Sequence, residues 1–286
     1  MKFAYFGTDY FATIILEELQ KSGFVADIIV TTSDKPKGRK LLLTPPPAKV
    51  WAQNNNIKFI QPEKLSQESF SGTTWDMFIV ASYGLIIPKE IINLPKHKTL
   101  NVHPSMLPKL RGASPVETAI LEENETGVTI MRVDEKMDHG PIIAQREILS
   151  WTTETAPSAP ELGELLARSG GSLLAESIPH WISGNISEQE QEHGFATYTK
   201  KITKEDGLIN LEDSPEKNYR KIQAYKEWPR SYFFIKHNQK EKRVIITDAE
   251  FIKGKLKIIK VIPEGGKEMS FADFKKGYGS TLPDDN

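Results

Sequence analysis

The 286-residue sequence predicts an α/β fold, a mostly parallel sheet with helices on both faces, followed by a small β-rich C-terminal domain. Three observations predict it. Short apolar runs alternate with segments of helical periodicity up to about residue 184. A polar, acidic stretch, Asn185 to His193, then interrupts the pattern. Beyond it, short β-rich runs are separated by Gly-, Asn- and Lys-rich turns, the spacing of a small antiparallel barrel or sheet.

The elements follow in order. Lys2-Phe3-Ala4-Tyr5-Phe6-Gly7 is apolar and ends on Gly, and apolar residues at 11, 14, 15 and 19 then recur at helical spacing. The chain therefore opens strand–turn–helix. Ala26 to Thr31 is β-rich, and three prolines at 45–47 mark a loop before helical patterning near Ala48-Lys49-Val50-Trp51. Met77 to Ala81, Lys98 to His103 and Thr126 to Val133 read as further strands. Such alternation builds a Rossmann-like sheet. Ser231 to Lys236, Arg243 to Thr247 and Lys255 to Val261 supply the strands of a β-barrel-like (OB-like) domain, and Gly277 to Asn286 reads as frayed. The expected division is a first domain at 1–184, a linker at 185–203 and a second domain at 204–286.

Composition excludes several classes. Without cysteine there is no disulfide, thiolate nucleophile or Cys-ligated zinc. Neither a transmembrane run nor a Lys/Arg-led apolar start is present, so a cytoplasmic protein is expected, with no membrane partner. The net charge of -1 creates no global field for a polyanion. Residues 204–286 nevertheless hold 17 Lys+Arg against 14 Asp+Glu, whereas 1–203 hold 20 against 24. Any polyanion contact is thus local. Neither G-x-x-x-x-G-K-[ST] nor G-x-G-x-x-G occurs, so no nucleotide-phosphate loop is expected.

Chemistry concentrates in Asn101-Val102-His103-Pro104-Ser105-Met106-Leu107-Pro108-Lys109-Leu110-Arg111-Gly112. Residues i and i+2 of a strand share a face, so Asn101 and His103 project together. Pro104 cannot continue the ladder, and the chain must leave as a loop at the sheet edge where ligands bind. An amide beside an imidazole suits a carbonyl turning into an oxyanion, although a capping Asn and a surface His fit the triplet equally. Asp134-Glu135-Lys136-Met137-Asp138-His139-Gly140-Pro141 makes a second loop directly after a strand. A carboxylate there can orient His103 and join a proton transfer; the same residues also fit a solvated acidic turn.

Asn101 to Gly112 with Ser114-Pro115 resembles the N-x-H-x-S-x-L-P-x-x-R-G signature of the folate-dependent formyltransferases. Thr126-Gly127-Val128-Thr129-Ile130 and Met137 to Pro141 resemble that family's T-G-V-T and D-x-G-x-I segments. The resemblance implies Asn101, His103 and Asp138 as the catalytic set. It also implies that Tyr83-Gly84-Leu85-Ile86-Ile87, with Ser105, Leu107 and Pro108, bind the folate. The implied formyl donor is 10-formyltetrahydrofolate, with no metal.

Asp34 to Arg39, followed by Leu43 to Val50, resembles the insertion loop of the family branch that formylates methionine carried on initiator tRNA. That likeness implies tRNA contacts by Lys35, Lys37, Arg39 and Lys40, and four cations in six residues suit phosphate. Ala196 to Asn210 and Glu227-Trp228-Pro229 resemble the branch's linker and C-terminal domain, implying tRNA contacts by Lys200, Lys201 and Lys204. The expected reaction is formyl transfer to the α-amine of the methionyl initiator tRNA in translation initiation, by a monomer. A sugar-nucleotide N-formyltransferase using the same donor is the alternative. Three departures stand out: Asp9 where the family has Pro, His139 after the carboxylate, and a short C-terminal domain.

Overall fold

The structure, a computed structural model, describes residues 1–38, 41–237 and 240–278. Its order is β1 (Phe3–Gly7), α1 (Tyr10–Lys21), β2 (Ile28–Val30), β3 (Lys35–Lys37), β4 (Leu42–Thr44), α2 (Pro47–Asn54), β5 (Phe59–Ile60), β6 (Met77–Ala81), α3 (Lys89–Ile92) and β7 (Thr99–His103). Then follow β8 (Arg111–Gly112), α4 (Pro115–Glu122), β9 (Glu125–Arg132), β10 (Ile142–Ser150), α5 (Ala159–Ile182) and β11 (Tyr198–Thr199). The last elements are α6 (Pro215–Ala224), β12 (Tyr232–His237), β13 (Lys240–Ile252), β14 (Lys255–Pro263), β15 (Met269–Ser270) and α7 (Phe271–Tyr278).

Two compact units form. One comprises Met1–Arg111, Gly127–Ile148 and Gly163–Tyr198; the other comprises Gly112–Thr126, Leu149–Leu162 and Thr199–Asn286. Residues 185–198 therefore lie in the first unit.

The first unit holds a seven-stranded sheet in the order β10-β9-β7-β6-β1-β2-β5. β1 pairs in parallel with β2 and β6, β2 with β5 and β6 with β7, while β7 and β9 are antiparallel. All five residues of β1 are buried, as a strand covered on both faces requires. Strand order reverses at β1, because β2 lies on one side and β6 on the other, and such reversal points hold ligand crevices at the strands' C-terminal ends. Two bonds fix that edge: the Thr8 hydroxyl donates to the Tyr83 carbonyl (2.7 Å), and Ser82 Oγ donates to Asp9. Asp9 also accepts from the Ala12 amide (3.2 Å), so the departure at this position is the N-cap of α1.

α5 lies against the other face of β7. A Cβ on Gly170 would come within 2.6 Å of Val102 Cγ1, and one on Gly171 within 2.7 Å of the Glu18 Cβ. Only glycine allows this approach.

In the second unit, β12 to β15 form a four-stranded antiparallel sheet. Its core is Ile209, Ile222, Phe233, Ile235, Val244, Ile246, Val261, Phe271 and Phe274. Ser214 and Pro215 start α6 by side-chain capping and a preset φ. Arg220 from α6 donates to the carbonyls of Ile120 (3.1 Å) and Glu123 (2.7 Å), closing the last turn of α4. Among the described residues, no helix is long and apolar enough to cross a membrane.

Candidate active site

Asn101 and His103 stand on the same face of β7, at its C-terminal end. β9 fixes the register, with Asn101 opposite Met131 and His103 opposite Thr129. His103 is 4% exposed, and its ring is held by a hydrogen bond at Nε2. A carbonyl can only accept, so Nε2 carries the proton it donates to Leu110 O (3.0 Å). Nδ1 then faces Asp138 Oδ1 at 3.6 Å. Asn101 is half-buried, and its amide has no hydrogen-bond partner among the described residues. The structure sets His103 and Asp138 face to face with Asn101 on the same strand face, and the three differ in what they have free. Asn101 has an N–H to spare, whereas the Nε2–H of His103 is already committed.

The loop after β7 explains how that commitment arises. Ser105 Oγ donates to Lys109 O (2.6 Å), and Thr129 Oγ1 donates to Ser105 O (2.7 Å) while accepting from Leu107 N (3.1 Å) and Gln145 Nε2 (2.9 Å). Leu107 packs on Met131 and Ile142. The side chains of Ser105 and Leu107, two of the residues expected to bind the folate, are engaged inside the loop and help deliver the Leu110 carbonyl to His103. Pro108 is half-buried beside them.

Tyr83 opens the second loop expected to bind the folate. Its ring sits in an aromatic cluster with Phe6 (centroids 5.5 Å apart), Phe70, Trp75 and Phe78, and its buried hydroxyl has no partner among the described residues. Burial pushes the phenol's pKa up to about 12. Gly84 follows at φ +79°, a left-handed turn that suits glycine. Leu85 and Ile86 are then exposed, Ile86 at 88%, while Ile87 packs back onto the aromatic cluster. Two bare aliphatic side chains at the switch-point edge offer a face for a flat heterocycle.

Asp138 is held in the left-handed region at φ +50°, which Asp tolerates better than most residues. A buried amide from outside the expected motifs supports it. Gln191 Nε2 donates to the carbonyls of Asp138 (3.0 Å) and Gly140 (2.7 Å). Its Oε1 accepts from Arg111 Nε (3.1 Å) and Nη2 (2.6 Å). Arg111, 1% exposed, also donates to His193 Nδ1 (2.8 Å) and the Tyr198 hydroxyl (3.4 Å). His193 stacks on His139 (4.1 Å, 12°), whose Nδ1 donates to Asp134 Oδ2 (2.8 Å). Lost hydration first, then the charges of His139 and Arg111, hold the His193 pKa below the ordinary histidine value.

A cavity of about 420 Å³ adjoins the same loop, lined by Lys89, Ile92, Asn93, Arg132, Val133, Asp134, Glu135, Lys136 and His139. Neither Asn101 nor His103 lines it. Among the described residues, no group of three His, Asp or Glu side chains converges as a metal site.

The basic positions fall in two places. Lys35 and Lys37 are exposed on the β3–β4 hairpin, and no ion pair holds them among the described residues. Asp34 anchors the hairpin's base, accepting from Lys49 (2.8 Å) and Gln61 (2.7 Å). Leu41, Leu42 and Leu43 are all exposed on the same hairpin. Arg39 and Lys40 lie outside the described residues. In the second unit Lys200 pairs with Asp206 (3.0 Å), and Lys201 and Lys204 are exposed.

Comparison with known proteins adds to this geometry. Residues 1–164 match the family model described as formyl transferase, and residues 201–255 match that family's C-terminal domain. A methionyl-tRNA formyltransferase of Thermus thermophilus is 35% identical, the alignment covering 98% of this chain and 97% of the relative. The N-formyltransferase of Helicobacter canadensis, solved with folinic acid and dTDP-3-aminofucose, superposes at a TM-score of 0.64 with 22% identity, covering 90% of this chain and 95% of that one. The methionyl-tRNA formyltransferase of Clostridium thermocellum superposes at 0.59 with 19% identity, covering 94% and 99%. At those two identities the likeness is one of fold.

Proposed function

The chain belongs to the formyl transferase family, and from that premise we propose that it moves the formyl group of 10-formyltetrahydrofolate onto the α-amine of methionine carried by initiator tRNA. One observation carries the chemistry: the uncommitted amide of Asn101 beside an imidazole whose orientation is already fixed. The folate supplies the formyl carbon on its N10 nitrogen, and the methionyl amine takes it as the C–N10 bond breaks. Asn101 donates its N–H where negative charge grows on the formyl oxygen. Asp138 accepts the proton that the attacking amine must lose and returns it toward the departing nitrogen. His103, its Nε2–H spent on Leu110, turns Nδ1 to Asp138, so that once the carboxyl carries the amine's proton it donates to Nδ1 and is held in register. Leu85 and Ile86 give the pterin an apolar face, and the backbone of Gly84 allows close approach.

Full-length similarity at 35% favours the tRNA substrate over a sugar nucleotide, since the sugar enzyme shares only the fold at 22%. The hairpin with Lys35, Lys37 and three bare leucines supports the same choice. Cations there meet phosphates, and apolar side chains meet bases. Lys201 and Lys204 extend the contact in the second unit. A cytoplasmic enzyme working as a monomer completes the proposal.

The test incubates the protein with 10-formyltetrahydrofolate and either charged initiator tRNA or an amino-sugar nucleotide. Formylmethionyl-tRNA is the expected product; formylated sugar alone transfers the reading to the alternative. Asn101→Ala is expected to lower kcat by about 10²–10³, as for other lost oxyanion donors. A near-normal rate takes Asn101 out of the chemistry.

A further inference from the structure

Gln191 lies in a stretch whose polarity reads as a solvated spacer, yet it is 4% exposed. Its amide is fully spent. Two carbonyls, Asp138 O and Gly140 O, receive Nε2 at 3.0 and 2.7 Å, and Oε1 receives two N–H groups of Arg111 at 3.1 and 2.6 Å. A guanidinium has donors only, so Oε1 must face Arg111 and Nε2 must face the carbonyls. The orientation of the amide is therefore dictated by chemistry.

The grip closes on both ends of Asp138-His139-Gly140. Asp138 sits at φ +50°, in the left-handed region that side chains other than glycine adopt at a cost. At the other end, a Cβ on Gly140 would stand 1.9 Å from Arg132 O, so the loop passes without slack. Relaxing the Asp138 backbone would swing its carboxylate from its place 3.6 Å from His103 Nδ1.

We propose that Gln191 is a positioning residue for the formyl transfer: its Nε2–H groups hold the Asp138 loop in the strained conformation that aims the carboxylate, and Arg111 locks the amide in the orientation that does so. The role rests on the functional reading above.

Gln191→Glu isolates it. A carboxylate retains both acceptors for Arg111 but has no N–H for the two carbonyls and repels them. The expected result is a fall in kcat of about 10- to 100-fold, the usual cost of a small misplacement. KM for folate and tRNA should stay within about twofold, the pattern of an interaction made in the transition state alone. The melting temperature should hold. Gln191→Asn, neutral but one methylene too short to reach, should show the same split. If wild-type protein makes no formylmethionyl-tRNA in that assay, the functional reading fails and takes this role with it. If wild type is active and Gln191→Glu keeps a near-normal kcat, the positioning role alone is overturned. Unfolding of both variants below assay temperature also overturns it, in favour of a purely structural amide.

Discussion

Gly170→Ala sets two known effects against each other at the back of the active site. Helix propensity alone favours alanine by roughly 1 kcal/mol inside α5. Packing opposes it, because the new Cβ would lie 2.6 Å from Val102 Cγ1. Carbon atoms prefer about 3.5–4.0 Å, so roughly 1 Å of movement is needed. Val102 is buried and β-branched and cannot rotate away cheaply, which leaves the strand or the helix to shift. Overpacking of this kind costs about 1–3 kcal/mol, outweighing the propensity gain and lowering Tm by about 2–4 °C for each net kcal/mol. Val102 stands between Asn101 and His103, so the shift reaches both, and kcat should fall by up to about 10². Urea denaturation and formylation rates measure the two effects. In a Val102→Ala background the clash vanishes and Gly170→Ala should become neutral or stabilising, giving a coupling of about 1–3 kcal/mol. A single mutant more stable than wild type, with unchanged kcat, would refute the reasoning.

Tyr83→Phe removes a buried hydroxyl without a partner and is expected to be neutral or to stabilise by about 1 kcal/mol, with kcat unchanged; a clear loss in urea midpoint would reveal a partner for the phenol. Replacing Lys35 and Lys37 by Ala should raise KM for charged tRNA and reduce the salt slope of log KM by about 1 per lost phosphate contact, leaving folate KM alone. Identical slopes remove the hairpin from tRNA contact. His193 is held below its ordinary value in the folded state, so as pH drops under about 6.5 the unfolded chain binds the proton first. Stability is therefore fully present above that pH and declines below it, and His193→Gln should flatten melting curves between about pH 7.5 and about 5.5. An unchanged pH profile excludes His193 as the titrating group.

The strands and the placement of Asn101 and His103 on one strand face were legible because their signals are local. Met77 to Ala81 is an unbroken apolar run, and Asn101 and His103 alternate around Val102 before a proline. β10 and α5 were not legible. Gln145-Arg146-Glu147 interrupts β10 with three polar residues, and Gly170-Gly171 and Pro179 interrupt α5 with residues that ordinarily break helices. Those glycines are read correctly only with Val102 and Glu18 in place against them. Ser105 and Leu107 show a related limit: a motif names positions, and only the loop's own bonds reveal that the Ser105 hydroxyl and the Leu107 side chain are engaged within it. Gln191 gives no sequence signal of burial, because its polarity answers carbonyls far away in the chain.

Arg111 is a buried cation whose side chain, among the described residues, donates to neutral groups: an amide oxygen, an imidazole nitrogen and a phenol. Dissolved ions can gather around Lys35 and Lys37 but cannot approach a sealed guanidinium. The molecule thus carries two populations of positive charge, one that responds to electrolyte and one that does not. Adding salt should loosen capture of the RNA while leaving turnover of the captured substrate untouched, so a simple ionic titration dissects one from the other without altering a single residue.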